Sequence, residues 1–214
     1  LKSFTTKDKL KEASQMSEIL LQFKNRMYFD QIDFDEFYAN VGEGGGARIA
    51  LDCIKEYEEE LKSRNIIDFT MLESKFLDSL RSGKMDIFLD DLKIILIDEY
   101  QDTNLIQEEI YFTMAQSAIA NGGSISVVGD DDQSLYRFRG ATVDLFTNFK
   151  SRVREKLGIE VKEINLRTNY RSSRNIINHC NQFVELDGEY QHARVENKPK
   201  IIAPDLEKYN MPIL

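Results

Sequence analysis

The sequence predicts an α/β fold in which an α-helical segment precedes a parallel-sheet domain. Three observations carry this prediction. Over roughly the first third of the chain, apolar residues recur at three- and four-residue steps, the period of amphipathic helices. Near residue 90 the pattern changes to two short continuous apolar runs, KIILIDE (Lys93 to Glu99) and SISVVGD (Ser124 to Asp130). Strands buried on both faces of a parallel sheet have this appearance. Between the runs, Asn104 to Ala120 has the character of a crossover helix, and a strand, helix and strand of these lengths form a right-handed βαβ unit.

The elements follow in order. From Thr6 to Met27, Leu10, Met16, Ile19, Leu20, Phe23 and Met27 mark one helical face. GEGGG (Gly42 to Gly46) breaks the chain as a flexible linker. It is not a phosphate loop, because Ala-Arg follows instead of the Lys-Ser or Lys-Thr that would hold phosphate and Mg²⁺. A second helix places Ala50, Ile54, Tyr57 and Leu61 on one face, with solvated acids at Glu58 to Glu60 opposite. Asp68 caps a third helix carrying Phe69, Leu72, Phe76, Leu77 and Leu80, and Ser82-Gly83 ends it. Asn104 with Gln107 three residues on resembles a capping box for the crossover helix. A helix from about Thr142 to Leu157 leads to a third strand candidate, Glu160 to Leu166. Ser172 or Ser173 caps a further helix with Ile176, Ile177 and Phe183, and the segment from Lys198 onward reads as a strand and a tail.

Composition narrows the function classes. Apolar residues make up 42% and charged residues 30%, a globular balance. No apolar run approaches the roughly 20 residues that cross a bilayer, and LKSFTTKDKL lacks the layout of a signal peptide. Cys53 and Cys180 match no metal spacing and read as free thiols in a reducing, cytoplasmic setting. A net charge of −9 argues against a chain-wide electrostatic grip on nucleic acid and leaves room for a local basic patch.

In an open parallel sheet, ligands sit at the carboxyl ends of strands. Asp98 and Glu99 end the first strand candidate, and Asp130 ends the second. One carboxylate there can hold Mg²⁺, often through water, while another acts as base toward an attacking water. Acids at such turns also serve as helix caps and loop acids, so the residues alone leave both readings open. Beyond the second strand lie Gln133 and then Tyr136, Arg137, Phe138 and Arg139. Interleaved rings and guanidinium groups suit single-stranded nucleic acid, with bases stacking and phosphates pairing. An amphipathic turn with packed rings and solvated arginines has the same sequence. Tyr170 and Arg171 fall between a strand candidate and a helix; Arg171 there can reach a phosphate or pair with an acid.

Taken together, DEYQDTN, VGDDDQSLYRFRGA and LRTNYRS resemble motifs II, III and IV of the superfamily 1 DNA helicases of the UvrD/Rep/PcrA type, in order and spacing. IDFTMLE (Ile67 to Glu73) is similar to the Asp-Phe-x-x-Leu segment upstream of motif II in that family. The resemblance implies a partial RecA-like P-loop NTPase fold and ATP and Mg²⁺ as cofactors. It implies that Asp98 coordinates Mg²⁺, Glu99 orients or deprotonates water, and Gln133 and Arg171 meet the γ-phosphate. Tyr170 would lie against the adenine, Tyr136, Phe138 and Arg139 would touch the single strand, and Gln101 and Asp102 would support the motif II turn. The implied partners are single-stranded DNA, single/double-strand junctions and the remaining helicase domains, with no membrane.

The sequence departs from the family in two ways. No Gly-Lys-Thr phosphate loop occurs in these residues, and Phe138 stands where the family often has Trp. With the later motifs also missing and Leu1 at the start, the expectation is an internal fragment, inactive alone, of a 3′-to-5′ repair or recombination helicase. Residues 1–88 are assigned to a partial 1B-like helical subdomain, 89–159 to the second portion of RecA-like domain 1A, and 160–214 to the start of domain 2A. The alternatives are the motor of a RecB/AddA-like helicase-nuclease, or a non-enzymatic binding module with a degenerate core.

Overall fold

A computed structural model describes residues 13–134, 143–186, 188, 191, 194–195, 197–206 and 209. The chain divides into two compact units, Leu1–Asp130 with Ser134–Leu145, and Asp131–Gln133 with Phe146–Leu214.

The first unit begins with helices α1 (Ala13–Phe29), α2 (Phe34–Asn40), α3 (Gly46–Ser63), α4 (Phe69–Arg81) and α5 (Asp86–Asp90). Helix α2 is shorter than periodicity detects, yet Asp33 caps it by accepting from Glu36 N at 2.8 Å. Only part of GEGGG is linker, because Gly46 opens α3. In α1 the buried face is set by Lys24 and Met27, and Ile19, expected inside, is exposed. The same displacement occurs in α4, where Thr70 and Met71 are buried while Phe69 is 86% exposed. Its cause is polar. Asp68 caps α4 through Met71 N at 2.9 Å, and the buried Lys24 Nζ donates to Asp68 Oδ2 (2.7 Å) and Thr70 Oγ1 (2.9 Å). That anchor fixes the rotation of the first turn, and Leu77 and Leu80 complete the inward stripe.

The parallel pair follows. Strand β1 (Ile94–Ile97) and strand β2 (Ser124–Val127) run in register, Ile95 opposite Ile125 and Ile97 opposite Val127. Crossover helix α6 (Leu105–Ala120) joins them and starts in the expected capping box, with Gln107 N donating to Asn104 Oδ1 and Asn104 N to Gln107 Oε1. Leu77, Leu80, Leu89, Ile106 and Ile110 form the core between α4, α5 and α6. The expectation of strands buried on both faces is corrected. Ile95 is buried, but Ile94 and Leu96 are 65% and 77% exposed. Helices cover one face of the described sheet, and its two strands leave the other open.

Gly123 marks where the strands start side by side. A Cβ there would lie 1.7 Å from the Lys93 carbonyl oxygen, which accepts from Ser124 N at 2.8 Å. Gly123→Ala must therefore push the strands apart. It is expected to cost about 3 kcal/mol, the upper range for overpacking, read as a lower urea midpoint.

Helix α7 (Val143–Thr147) and helix α8 (Phe149–Leu157) replace the single helix expected over this stretch. The break is at Asn148, whose carbonyl accepts from Arg152 N and Ser151 Oγ. In the second unit, the Glu160 to Leu166 candidate makes no ladder among the described residues, and Ile164 and Leu166 are 70% and 84% exposed. A strand needs a neighbour, and the parallel bridge described here is between Thr168 and Ile202. Helix α9 (Arg174–Glu185) starts after Ser173 and buries Ile177, whereas Phe183 is exposed.

Candidate active site

The end of β1 is built from short-range bonds that turn the backbone sharply. Asp98 Oδ1 accepts from Glu99 N at 2.9 Å. Glu99 adopts the left-handed conformation, φ 51° and ψ 41°. A non-glycine residue held there costs of order 1–3 kcal/mol and persists only where its surroundings enforce it. Here the enforcement comes from Tyr100 and Gln101, which open a 3₁₀ turn, Tyr100–Asp102. Tyr100 is fully buried; its backbone N donates to Val128 O (2.9 Å) and its hydroxyl to the buried Glu108 of α6 (3.0 Å). Gln101, 1% exposed, donates from Nε2 to Glu99 Oε2 at 2.7 Å and accepts on Oε1 from Asp130 N at 3.0 Å.

Asp98 and Glu99 are both exposed at one strand end. Asp102, in the same turn, is half-buried. Its Oδ1 is shielded without a hydrogen-bond partner among the described residues. Burial, and then the nearby Glu99 charge, push the Asp102 carboxyl above the usual carboxylate range. The exposed carboxylates of Asp98 and Glu99 offer hard oxygen donors of the kind that hold a divalent cation, often through water. A cavity of about 440 Å³ among the helices of this unit is lined by Lys24, Tyr28, Ile54, Leu77 and Arg81.

Gln133, Tyr170 and Arg171 belong to the second unit. Gln133 is exposed at the end of a 3₁₀ turn, Asp131–Gln133. Arg194 grips Asp132 with two bonds of 2.7 Å, and Lys198 pairs with Asp131 and Asp132. Asn169 Oδ1 accepts from Arg171 N and Ser172 N, turning the chain so that the Tyr170 and Arg171 side chains are exposed. Tyr209 donates to the Tyr170 carbonyl at 3.0 Å. Tyr136, Phe138 and Arg139 lie outside the described residues.

Residues 2–154 match the family described as UvrD/REP helicase N-terminal domain. The chain belongs to that family. In this UvrD/REP-type chain, the DEYQDTN stretch that resembles motif II begins at the β1 end with Asp98 and Glu99, and the stretch that resembles motif III begins just after β2. The helix-rich unit with its parallel strand pair is a partial RecA-like α/β domain. Curated relatives include an ATP-dependent helicase/nuclease subunit from Clostridium novyi (strain NT), 34% identical over 75% of this chain and 14% of that protein. The protein of the same name from Staphylococcus epidermidis (strain ATCC 12228 / FDA PCI 1200) is 33% identical over 63% of the chain and 11% of that protein. The Staphylococcus aureus (strain USA300) protein is 28% identical over 81% and 16%. The UvrD/REP-type chain thus spans about a seventh of the length of the curated relatives it matches.

Two contacts in this UvrD/REP-type unit had weak signals in the sequence. Glu108 is in register with Phe112 and Ala115, and Lys24 with Leu20 and Met27. Both are charged residues set into an otherwise apolar stripe. The bridge made by Gln101 had none, because its partner Asp130 contributes a backbone N–H.

Proposed function

We propose that the chain is the central part of an ATP-driven DNA translocase motor of the UvrD/AddA kind, which moves 3′ to 5′ on single-stranded DNA and unwinds junctions in repair or recombination. The observation that carries this is the β1 end, where Asp98 and Glu99 share one exposed turn and the Glu99 carboxylate is held by Gln101. The name shared by the relatives favours part of a helicase-nuclease over a stand-alone helicase. Residues 1–88 are proposed as the 1B-like part, 89–159 as the second portion of domain 1A and 160–214 as the start of 2A, working in the cytoplasm.

Bound Mg-ATP supplies the phosphoanhydride bond and the cation that screens its charge. Asp98 would hold the cation, directly or through water. Glu99 would orient the attacking water and accept its proton. Gln133 and Arg171 would meet the γ-phosphate and stabilise the charge on its oxygens, and Tyr170 would lie against the base. Tyr136, Phe138 and Arg139 would stack on and pair with the single strand.

DNA-stimulated ATP hydrolysis by the full-length protein tests this reading, and its absence would leave a binding module instead. The 214 residues alone contain no Gly-Lys-Thr loop and are expected to hydrolyse no ATP. In the full-length protein, Arg139→Ala should weaken single-strand binding and lower the salt slope of affinity by about one. Unchanged affinity and slope in a filter-binding salt series would remove Arg139 from the strand site.

A further inference from the structure

We propose that Gln101 is a positioning residue that ties the direction of the Glu99 carboxylate to the backbone at Asp130; this rests on the motor reading above. Gln101 is 1% exposed, so its amide does not turn freely in solvent. Its two bonds also fix which way round it sits. A carboxylate only accepts and a backbone N–H only donates, so Nε2 must face Glu99 Oε2 and Oε1 must face Asp130 N, at 2.7 and 3.0 Å. The Gln101 backbone carbonyl further accepts from Ser134 Oγ at 3.4 Å.

Each end of this bridge sits where direction matters. Glu99 is exposed and its backbone is left-handed, so apart from Gln101 no bond described here fixes its carboxylate. Asp130 directly precedes the Asp131–Gln133 turn in the chain. A shift of that turn that draws Asp130 N away from Oε1 lets the amide rotate, and the Glu99 carboxylate loses its donor. The base and the start of motif III are therefore read by one side chain. Water activation becomes sensitive to the position of the segment that leads to Gln133 and to Tyr136, Phe138 and Arg139.

Two variants separate the two bonds in the full-length protein. Gln101→Glu keeps an acceptor for Asp130 N–H and, assayed at a pH high enough to ionise both carboxyls of the pair it forms with Glu99, replaces the donor with a like charge; Gln101→Met removes both bonds at similar length. A misplaced catalytic group costs about 10²-fold, so both variants should lower kcat by roughly 30- to 100-fold. Affinity for adenylyl-imidodiphosphate, read by calorimetry, should stay within about threefold, because ground-state binding is untouched. Hydrogen exchange at the Asp130 amide should match wild type in Gln101→Glu and quicken about tenfold in Gln101→Met. Adding Gln101→Met to Glu99→Gln should cost no further kcat, because the group being positioned is already gone.

A kcat within about threefold of wild type in either folded variant overturns the proposal. So does a kcat loss matched by an equal loss of nucleotide affinity, or a full additional loss on the Glu99→Gln background; either marks a merely structural role. Should Gln101→Glu not fold, Gln101→Met and the double variant decide. A wild-type protein that binds the nucleotide but hydrolyses none overturns the motor reading, and this proposal with it. An active wild type with unaffected variants overturns only the role of Gln101.

Discussion

Glu99→Gln in the full-length protein is expected to reduce ATP turnover by about 10³-fold while nucleotide affinity changes little, since general-base catalysis contributes roughly 10²–10⁴-fold. The amide keeps the size and polarity of the side chain and can still bond to Gln101. It cannot accept a proton from water. The left-handed backbone at Glu99 is held by the Tyr100 anchor to Val128 and Glu108, neither of which involves the Glu99 side chain. The turn should therefore survive the substitution, and the loss should fall on kcat and not on KM. Single-turnover hydrolysis together with equilibrium nucleotide binding checks this; a variant hydrolysing at near wild-type rate removes Glu99 from the chemistry.

The second large effect concerns folding. Lys24→Ala should destabilise the protein by about 3–5 kcal/mol, the usual cost of removing one partner of a buried ion pair. Lys24 is 1% exposed and its Nζ meets Asp68 Oδ2, Thr70 Oγ1 and the face of Tyr28, 4.4 Å from the ring centroid. The loss leaves Asp68 without its cation, opens a void and frees the first turn of α4 to rotate. Because Asp68 is 24% exposed, solvent offsets part of the penalty and the lower end of the range applies. Burial pushes the Asp68 carboxyl up, but the Lys24 hydrogen bond, the Met71 N–H, the Lys24 charge and Thr70 together hold it below its ordinary value of 3.8.

The sign follows from linkage. Stability supplied by a carboxylate with a lowered pKa is complete above its unfolded value and lost as pH falls through the folded one. The deficit of Lys24→Ala should hold constant from neutral pH to about pH 4 and shrink below it. Urea unfolding of both proteins at pH 7, 5 and 3 measures it; a deficit that does not shrink at pH 3 rules out the ion pair as its source.

Much of the fold was legible because it depends on local rules. Asp68 and Asn104 are caps read from residue type and spacing, and the structure supplies their bonds to Met71 N and Gln107 N. Parallel pairing of the two apolar runs followed from their length and the helix between them, and the acids Asp98 and Glu99 fell at the strand end where such sheets bind ligands. Less legible was everything set by a partner remote in sequence. Phe69 and Leu72 were assigned to a buried face by period alone, but Lys24, 44 residues before Asp68, turns Thr70 and Met71 inward instead. Glu160 to Leu166 reads as a strand candidate through Val161, Ile164 and Leu166 but has no ladder partner among the described residues.

The sequence by itself determined the family, the helix caps, the parallel pair and the acids at its end, because each is written in residue types a few positions apart. The tertiary structure alone decided which faces are buried, that Glu99 sits in a left-handed turn, and that Gln101 joins its carboxylate to Asp130. Those features depend on a lysine reaching across helices and on the backbone N–H of Asp130, which follows β2 in the chain. A backbone N–H is common to every residue but proline, so no pattern of side chains could have announced it.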